Sequence, residues 1–505
     1  MLIKSDADEI QSYLIDASNM RGGHAARVVF PESAEETAAV LLAAAREGTP
    51  VTVSGAGTGI VGGRVPLGGI VLATDRLNQI AEVVCGEGGC RATAGAGVVL
   101  ADFQRAASER GLIYPPDPTE GSCYLGGTVA TNASGARTFK YGPTREFIRR
   151  LKIALTTGDV LDIERGSVRA AADGSLRLPL PGGRSLEARL PSYRMPATRK
   201  HASGYWVAPG MDAIDLFIGS EGTLGVITEV EATLLEKPEG LLSGIVFFKR
   251  EEDLLGFVRE ARAASLENRR RNEEGGIDAR ALEYFDSESL ALLRRKYALV
   301  PGWAAGAIFF EQETAAETEE GLLTAWLALL ERYDALLDDS WFATAEHDQR
   351  AMREFRHALP VLVNEWLARH GKRKVSTDMA LPDDEFAAML RFYQDTLRAS
   401  RLRYVIFGHI GDNHVHVNIM PRDEREAARA REIYLEFAQR AVERGGTISA
   451  EHGIGKIKRD YLRILYTDEH LREMAALKKA FDPSCILGRG NIFPEQYLTT
   501  VTSDE

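Results

Sequence analysis

Three of the chain's ten histidines fall within eight residues, in the run Gly408-His409-Ile410-Gly411-Asp412-Asn413-His414-Val415-His416-Val417-Asn418. If Val415 and Val417 lie on the buried face of a half-buried strand, alternation puts His414, His416 and Asn418 on the other face. A second segment, Ser449-Ala450-Glu451-His452-Gly453-Ile454-Gly455-Lys456, sets a carboxylate beside an imidazole before a glycine turn. Side chains of adjacent residues diverge in extended backbone, so one can serve a metal while its neighbour faces a substrate. His409, His416 and Glu451 together form an N,N,O set, the incomplete shell that holds zinc or another divalent ion with a position open.

Three runs of small residues make up the other chemical signal. The first, Ser54-Gly55-Ala56-Gly57-Thr58-Gly59 through Gly62, matches G-x-G-x-x-G after a strand-like run and invites a nicotinamide-binding reading. That unit needs a helix starting at the loop, and the eight residues from Gly62 to Gly69 hold four glycines and a proline, a gap before Ile70 too short for a helical crossover. The loop reads instead as an extended nest whose N–H groups bind phosphate. Pro115-Pro116-Asp117-Pro118 leads to the second run, Gly126 to Gly135, and Phe217 to Gly225 is the third. Three such loops suggest one long ligand.

These segments require a scaffold of more than one domain, because 505 residues exceed what a single core serves. Val28-Val29-Phe30, a helix opened by Ser33-x-x-Glu36 and closed near Gly48, and Val51 to Ser54 read as a β-α-β unit. A helix from about Val99 to Arg110 leads into Leu112-Ile113-Tyr114, and 166–199 reads as short hairpins or a surface excursion. Past Pro238, short β runs at Gly244–Phe248, Ala307–Phe310 and Arg403–Phe407 alternate with long charged helices, which suggests a second, α+β domain.

Hydrophobic residues make up 45% of the chain and charged residues 27%, as in an ordinary globular protein, while a formal net charge of -12 argues against nucleic acid as a partner. Arg269-Arg270-Arg271, followed by Glu273-Glu274, reads as a solvated loop. No apolar run approaches a membrane span and no signal-peptide core opens the chain, so a cytoplasmic location is expected. Cys85, Cys90, Cys123 and Cys485 show no framework spacing and are expected to be incidental thiols.

With Lys140-Tyr141-Gly142-Pro143-Thr144, the three loops resemble the FAD-binding domain of the vanillyl-alcohol oxidase / p-cresol methylhydroxylase flavoprotein superfamily. The histidine cluster, the Glu-His pair and the ending Phe481-Asp482-Pro483 to Asn491-Ile492-Phe493 resemble its D-2-hydroxy-acid dehydrogenases. The resemblance implies an α+β fold: a two-subdomain FAD-binding domain over 1–237, a substrate domain with an antiparallel sheet over 238–445, and a segment 446–505 that packs back on the FAD domain. It implies that Ser54 to Gly59 wrap the pyrophosphate. Pro116, Asp117, Gly126, Gly127, Thr131, Asn132, Ser134 and Gly135 would line the flavin and ribityl chain, and Glu221, Gly222, Gly225, Ile227 and Asn491 complete the cofactor site.

Some members attach the flavin to a histidine of the first loop. That loop has none here, so FAD is expected to be non-covalent. His409, His416 and Glu451 would bind the metal, His452 would be the base, and Asn418 would contact substrate. A cation for the substrate carboxylate is sought among Arg353, Arg356, Lys372, Arg373 and Lys374, with Arg356 and Lys374 preferred. The expected reaction oxidises a D-2-hydroxy acid and passes electrons to a quinone, cytochrome or electron-transfer flavoprotein, with peripheral membrane contact and a homodimer left open. One departure concerns the turn: relatives commonly carry Gly-Asn where this chain has Asn413-His414, which leaves His414 as an extra ligand, a second base or a bystander. The rival readings are a non-redox relative of the alkyl-dihydroxyacetone-phosphate synthase type and an FAD-holding subunit of a larger oxidase.

Overall fold

The computed structural model describes residues 1–273 and 275–499. Its first sheet contains β1 (Leu2–Lys4), β2 (Arg27–Phe30), β3 (Val51–Ser54) and β4 (Ile70–Ala73) in the order β1-β2-β4-β3. Helix Ala34–Glu47 links β2 to β3; Ser33 caps it by accepting from the Glu36 N–H, and Gly48 ends it at φ 66°. β3 and β4 pair in parallel, yet residues 55–69 between them contain no helix. The crossover that the sequence made seem too short is therefore completed by the glycine-rich loop itself, whose backbone stays free to face a ligand.

The second sheet is antiparallel. It contains β5 (Val84–Gly86), β6 (Gly89–Gly95), β7 (Leu112–Ile113), β8 (Ile148–Ala154), β9 (Val160–Glu164) and, further along the chain, the long strand Val226–Glu236, which lies between β6 and β8 and also carries β7. Cys85 faces Cys90 across the β5–β6 hairpin and the two form a disulfide, which corrects the expectation of incidental thiols: strand register makes partners of residues whose spacing suggested none. Residues 166–199 contain the expected hairpin, β10 (Ser175–Pro179) against β11 (Ser185–Arg189).

With Val226–Glu236 as β12, a short turn leads to β13 (Gly240–Phe248) and an eight-stranded antiparallel sheet. Its other strands are β14 (Ala279–Asp286), β15 (Gly306–Thr314), β16 (Trp341–Ala343), β17 (Val375–Ser376), β18 (Met379–Ala380), β19 (Tyr404–Gly408) and β20 (His414–Ile419). The order is β16-β13-β15-β14-β19-β20-β17, with β18 also on β20.

Arg269, Arg270 and Arg271 end helix Glu251–Arg271 rather than forming a solvated loop; Glu274 lies outside the described residues. Arg269 donates to the Ala279 carbonyl at 2.6 Å and pairs with Asp278, so a long side chain has been drawn into a fixed contact. The C-terminal stretch returns to the first sheet, where Val51 donates to the Ile486 carbonyl (2.8 Å) and Gly488 donates back to Val51 (2.9 Å).

Candidate functional site

A cavity of about 420 Å³ runs between the three glycine-rich loops. Gly55, Ala56, Gly57, Thr58, Gly59, Gly126, Gly127, Thr131, Ser134, Glu221, Gly222, Gly225, Ile227 and Asn491 line it. A Cβ on Gly59 or Gly127 would meet no atom within 4 Å, so their bare backbone leaves room for a ligand. The other expected cofactor residues stand behind this wall. Ser54 is buried at the end of β3, the Pro116 carbonyl accepts from Gln104 (2.9 Å), and Asp117 pairs with Arg137 (3.2 Å). Asn132 accepts from the Arg145 N–H (3.0 Å), and Gly135 packs where any Cβ would strike the Asp117 carbonyl.

The C-terminal segment closes this cavity. Glu221, whose carboxyl is pushed up to about 7 by burial, accepts the N–H groups of Ile454 and Gly455, both at 2.7 Å. Lys456 donates to Gly63 O (3.1 Å) and to Asn491 Oδ1 (2.8 Å), tying the first loop to the chain's end. Between these anchors, Glu451 and His452 project into the cavity.

His452 and Glu451 also line an adjoining cavity of about 190 Å³, with His409, His416, Asn418, Arg356 and Lys374. β19 ends at Gly408, a short turn Ile410–Asp412 follows, and Asn413 at φ 53° leads into β20. Asparagine tolerates that left-handed position, and its side chain donates to Asp383 at 2.6 Å, so the Asn413-His414 pair forms a tight turn. β20 is buried on both faces rather than half-buried: Val415 and Val417 join the core while His416 and Asn418 line the cavity. His414 is fully enclosed, 3.2 Å from Asp378, and burial pushes its pKa down to about 3.

The donor atoms converge. His409 Nδ1 lies 2.6 Å from Glu283 and His416 Nδ1 lies 3.1 Å from the Thr377 carbonyl, which makes both Nδ1 atoms donors and, in the neutral rings that an ion would bind, leaves each Nε2 lone pair free. Those Nε2 atoms stand 3.3 and 3.2 Å from Glu451 Oε1. Burial lowers the His409 pKa, but the Glu283 and Glu451 carboxylates together outweigh it and lift the ring to about 8. Burial likewise opposes ionisation of Glu451, and Lys200 and His409 overcome it, holding that carboxyl well below its usual range. Two imidazoles with second-nitrogen partners and one ionised carboxylate fit a divalent ion.

Asp378 organises the other side. It accepts from Ser449 Oγ (2.6 Å), Lys458 Nζ (2.8 Å) and the His452 N–H (3.0 Å), and its Oδ2 lies 3.2 Å from His452 Nδ1. Among the preferred cations, Arg356 is held by Glu283 at 2.9 Å, whereas Lys374 has no carboxylate partner among the described residues and burial lowers its pKa. Arg353 pairs with Glu311 at 3.7 Å, Lys372 with Glu424 at 2.6 Å, and Arg373 is exposed; none of the three lines the cavity. Both amide atoms of Asn418 are buried without a partner.

Sequence reasoning gave no role to Lys200, Glu283, Thr377 or Asp378. Glu283 carried a usable signal, a lone carboxylate in the otherwise apolar and aromatic stretch Ala281 to Phe285.

Residues 25–164 match the family model described as FAD binding domain, and residues 254–492 match FAD linked oxidases, C-terminal domain. The glycolate oxidase subunit GlcD of Bacillus subtilis is 30% identical, over 97% of this chain and 94% of that one. A D-lactate dehydrogenase of Anaerostipes hadrus is 29% identical, over 92% and 89%. A D-2-hydroxyglutarate dehydrogenase of Stutzerimonas stutzeri is 28% identical, over 97% and 96%. A solved alkyldihydroxyacetonephosphate synthase superposes at a TM-score of 0.66 with 14% identity, covering 96% of this chain and 81% of that one, a likeness of fold. No helix among the described residues is long and apolar enough to cross a membrane. The chain belongs to the FAD-linked oxidases and is an FAD-binding oxidoreductase.

Proposed function

We propose that the protein oxidises a D-2-hydroxy acid to the 2-oxo acid, with His452 as base, a divalent ion, zinc by the character of its donors, on His409, His416 and Glu451, and FAD held non-covalently. The observation that carries this reading is that His452 and Glu451 line both cavities, so a molecule in the smaller one lies against the occupant of the larger. The names of the relatives, a glycolate oxidase subunit and two D-2-hydroxy-acid dehydrogenases, support the substrate class.

Bound FAD supplies a hydride acceptor, and a divalent ion supplies positive charge that makes a nearby hydroxyl more acidic. Residues of the chain do the rest. Asp378 faces His452 Nδ1, which sets that nitrogen as the donor and leaves Nε2 unprotonated to accept the hydroxyl proton. Lys374, the unpaired ammonium of the smaller cavity, meets the substrate carboxylate, and Asn418 offers its unpartnered amide to the same molecule. Arg356 holds Glu283, which fixes His409. The electrons then leave to a separate acceptor, a quinone, a cytochrome or an electron-transfer flavoprotein.

The test is the anaerobic visible spectrum with a panel of D- and L-2-hydroxy acids. One or more D-acids should bleach the flavin and the L-acids should not; a flavin that no hydroxy acid bleaches would overturn the reading. With the best substrate, Lys374→Met should raise KM by about 10- to 100-fold, the loss of one charge-assisted contact, and leave kcat within severalfold. An unchanged KM would move the carboxylate contact to another residue.

A further inference from the structure

Lys200 lies just beyond the hairpin excursion and is fully buried. Its ammonium donates to the Gly135 carbonyl and to Glu451 Oε2, both at 3.0 Å, and stands 3.6 Å from Asp412 Oδ2. These three partners come from a flavin-cavity loop, the C-terminal Glu-His segment and the turn after β19, so one side chain joins the three parts that meet at the site.

We infer that Lys200 is a positioning residue, which fixes how the Glu451 carboxylate presents its oxygens and leaves only Oε1 to the two histidines. This rests on the proposed ion site. The two oxygens of Glu451 have separate surroundings. Oε2 takes Lys200 and, at 3.2 Å, the Ser134 hydroxyl. Oε1 faces His409 Nε2 at 3.3 Å, His416 Nε2 at 3.2 Å and His452 Nε2 at 3.7 Å. A carboxylate free to turn can grip a divalent ion with both oxygens, which fills a position the substrate needs. Lys200 and Ser134 occupy Oε2 and prevent that.

The same contacts fix a distance. Ser134 lines the flavin cavity and Gly135 follows it, so the carboxylate that faces the histidines is held to the loop that faces the flavin. Hydride transfer depends steeply on such placement. Simple neutralisation of two buried carboxylates would also require a cation here, so the test needs a signal that neutralisation alone does not move.

That signal is the visible spectrum of cobalt(II) loaded into the FAD-containing protein, read to the red of the flavin bands, where intensity falls as coordination number rises. Lys200→Met should keep FAD, take up cobalt with a weakened band, and lose about 10- to 100-fold in kcat, with KM nearly unchanged. Ser134→Ala, which removes one of the two Oε2 donors and keeps the buried charge, should shift the band in the same direction and lower kcat less. If Lys200→Met does not retain FAD, Ser134→Ala decides: a shifted band supports the inference and a wild-type band overturns it. A Lys200→Met protein with wild-type band and kcat overturns it as well. Wild-type protein that takes up no cobalt would instead overturn the ion site on which the inference rests, an outcome distinct from a variant that matches wild type.

Discussion

His452→Ala is expected to keep its fold and its FAD while flavin reduction by the hydroxy acid slows by about 10²- to 10⁴-fold, the usual worth of a positioned general base. The fold should survive because the backbone at this position is held without the imidazole. The His452 N–H donates to Asp378 at 3.0 Å, and the next turn is fixed by Glu221 through Ile454 and Gly455. The imidazole is only half-buried and its far nitrogen makes no hydrogen bond, so its removal opens little of the core. KM should change little, since the proposed function gives the hold on the acid to Lys374 and Asn418 rather than to His452. Stopped-flow reduction under anaerobic conditions measures this directly, and a variant reduced at the wild-type rate would require a different base.

Much of this site was legible before any geometry. The spacing His409-x6-His416 and the pair Glu451-His452 carry their chemistry in residue type, and the structure brings their nitrogens and oxygens together across segments far apart in sequence. The glycine loops were legible for the same reason, because few other residues allow bare backbone around a ligand. Residues that act by facing another side chain were not. Asp378 is one of these: nothing in Thr377-Asp378-Met379 says that the carboxylate meets Ser449, His452 and Lys458.

Lys200 was hidden differently, beside an excursion whose weak periodicity suggested a surface. Strand neighbours were likewise beyond the sequence: β3 and β4 are parallel across a helix-free loop, and Cys85 meets Cys90, because register and crossover are settled by packing. Even the half-buried reading of β20 failed for that reason, since the C-terminal segment covers its second face: Glu451 lies 3.2 Å from His416 Nε2 and the His452 ring stacks on His416 at 5.3 Å.

Asp378→Asn should damage both stability and chemistry, and the way it depends on pH separates the two. Asp378 is fully buried and faces Ser449, Lys458, His452 and His414. Burial alone would raise its carboxyl, but His452 and Lys458, with His414, outweigh it and hold the group well below the usual carboxylate range. A carboxyl depressed by folding stabilises the folded state above its unfolded value of about 4, and that stability is lost as pH falls through the lower folded value.

Asparagine at this position is neutral, and its amide N–H₂ cannot accept from the donors that now meet a carboxylate oxygen. The buried Lys458 ammonium is left uncompensated, which costs about 3–5 kcal/mol near neutral pH. The deficit relative to wild type should shrink as acid removes the wild-type charge, so denaturation curves taken from neutral pH downward should converge. In the active site, His452 loses the acceptor that fixes its Nδ1 proton, and the ring is free to present a protonated Nε2 to the substrate. A fall in kcat of the order of 10³–10⁴-fold is expected, as when a base is left in the wrong tautomer. If the stability deficit stayed constant into acid, the charge of Asp378 would not be its source. If kcat held near wild type, His452 would be oriented by something else.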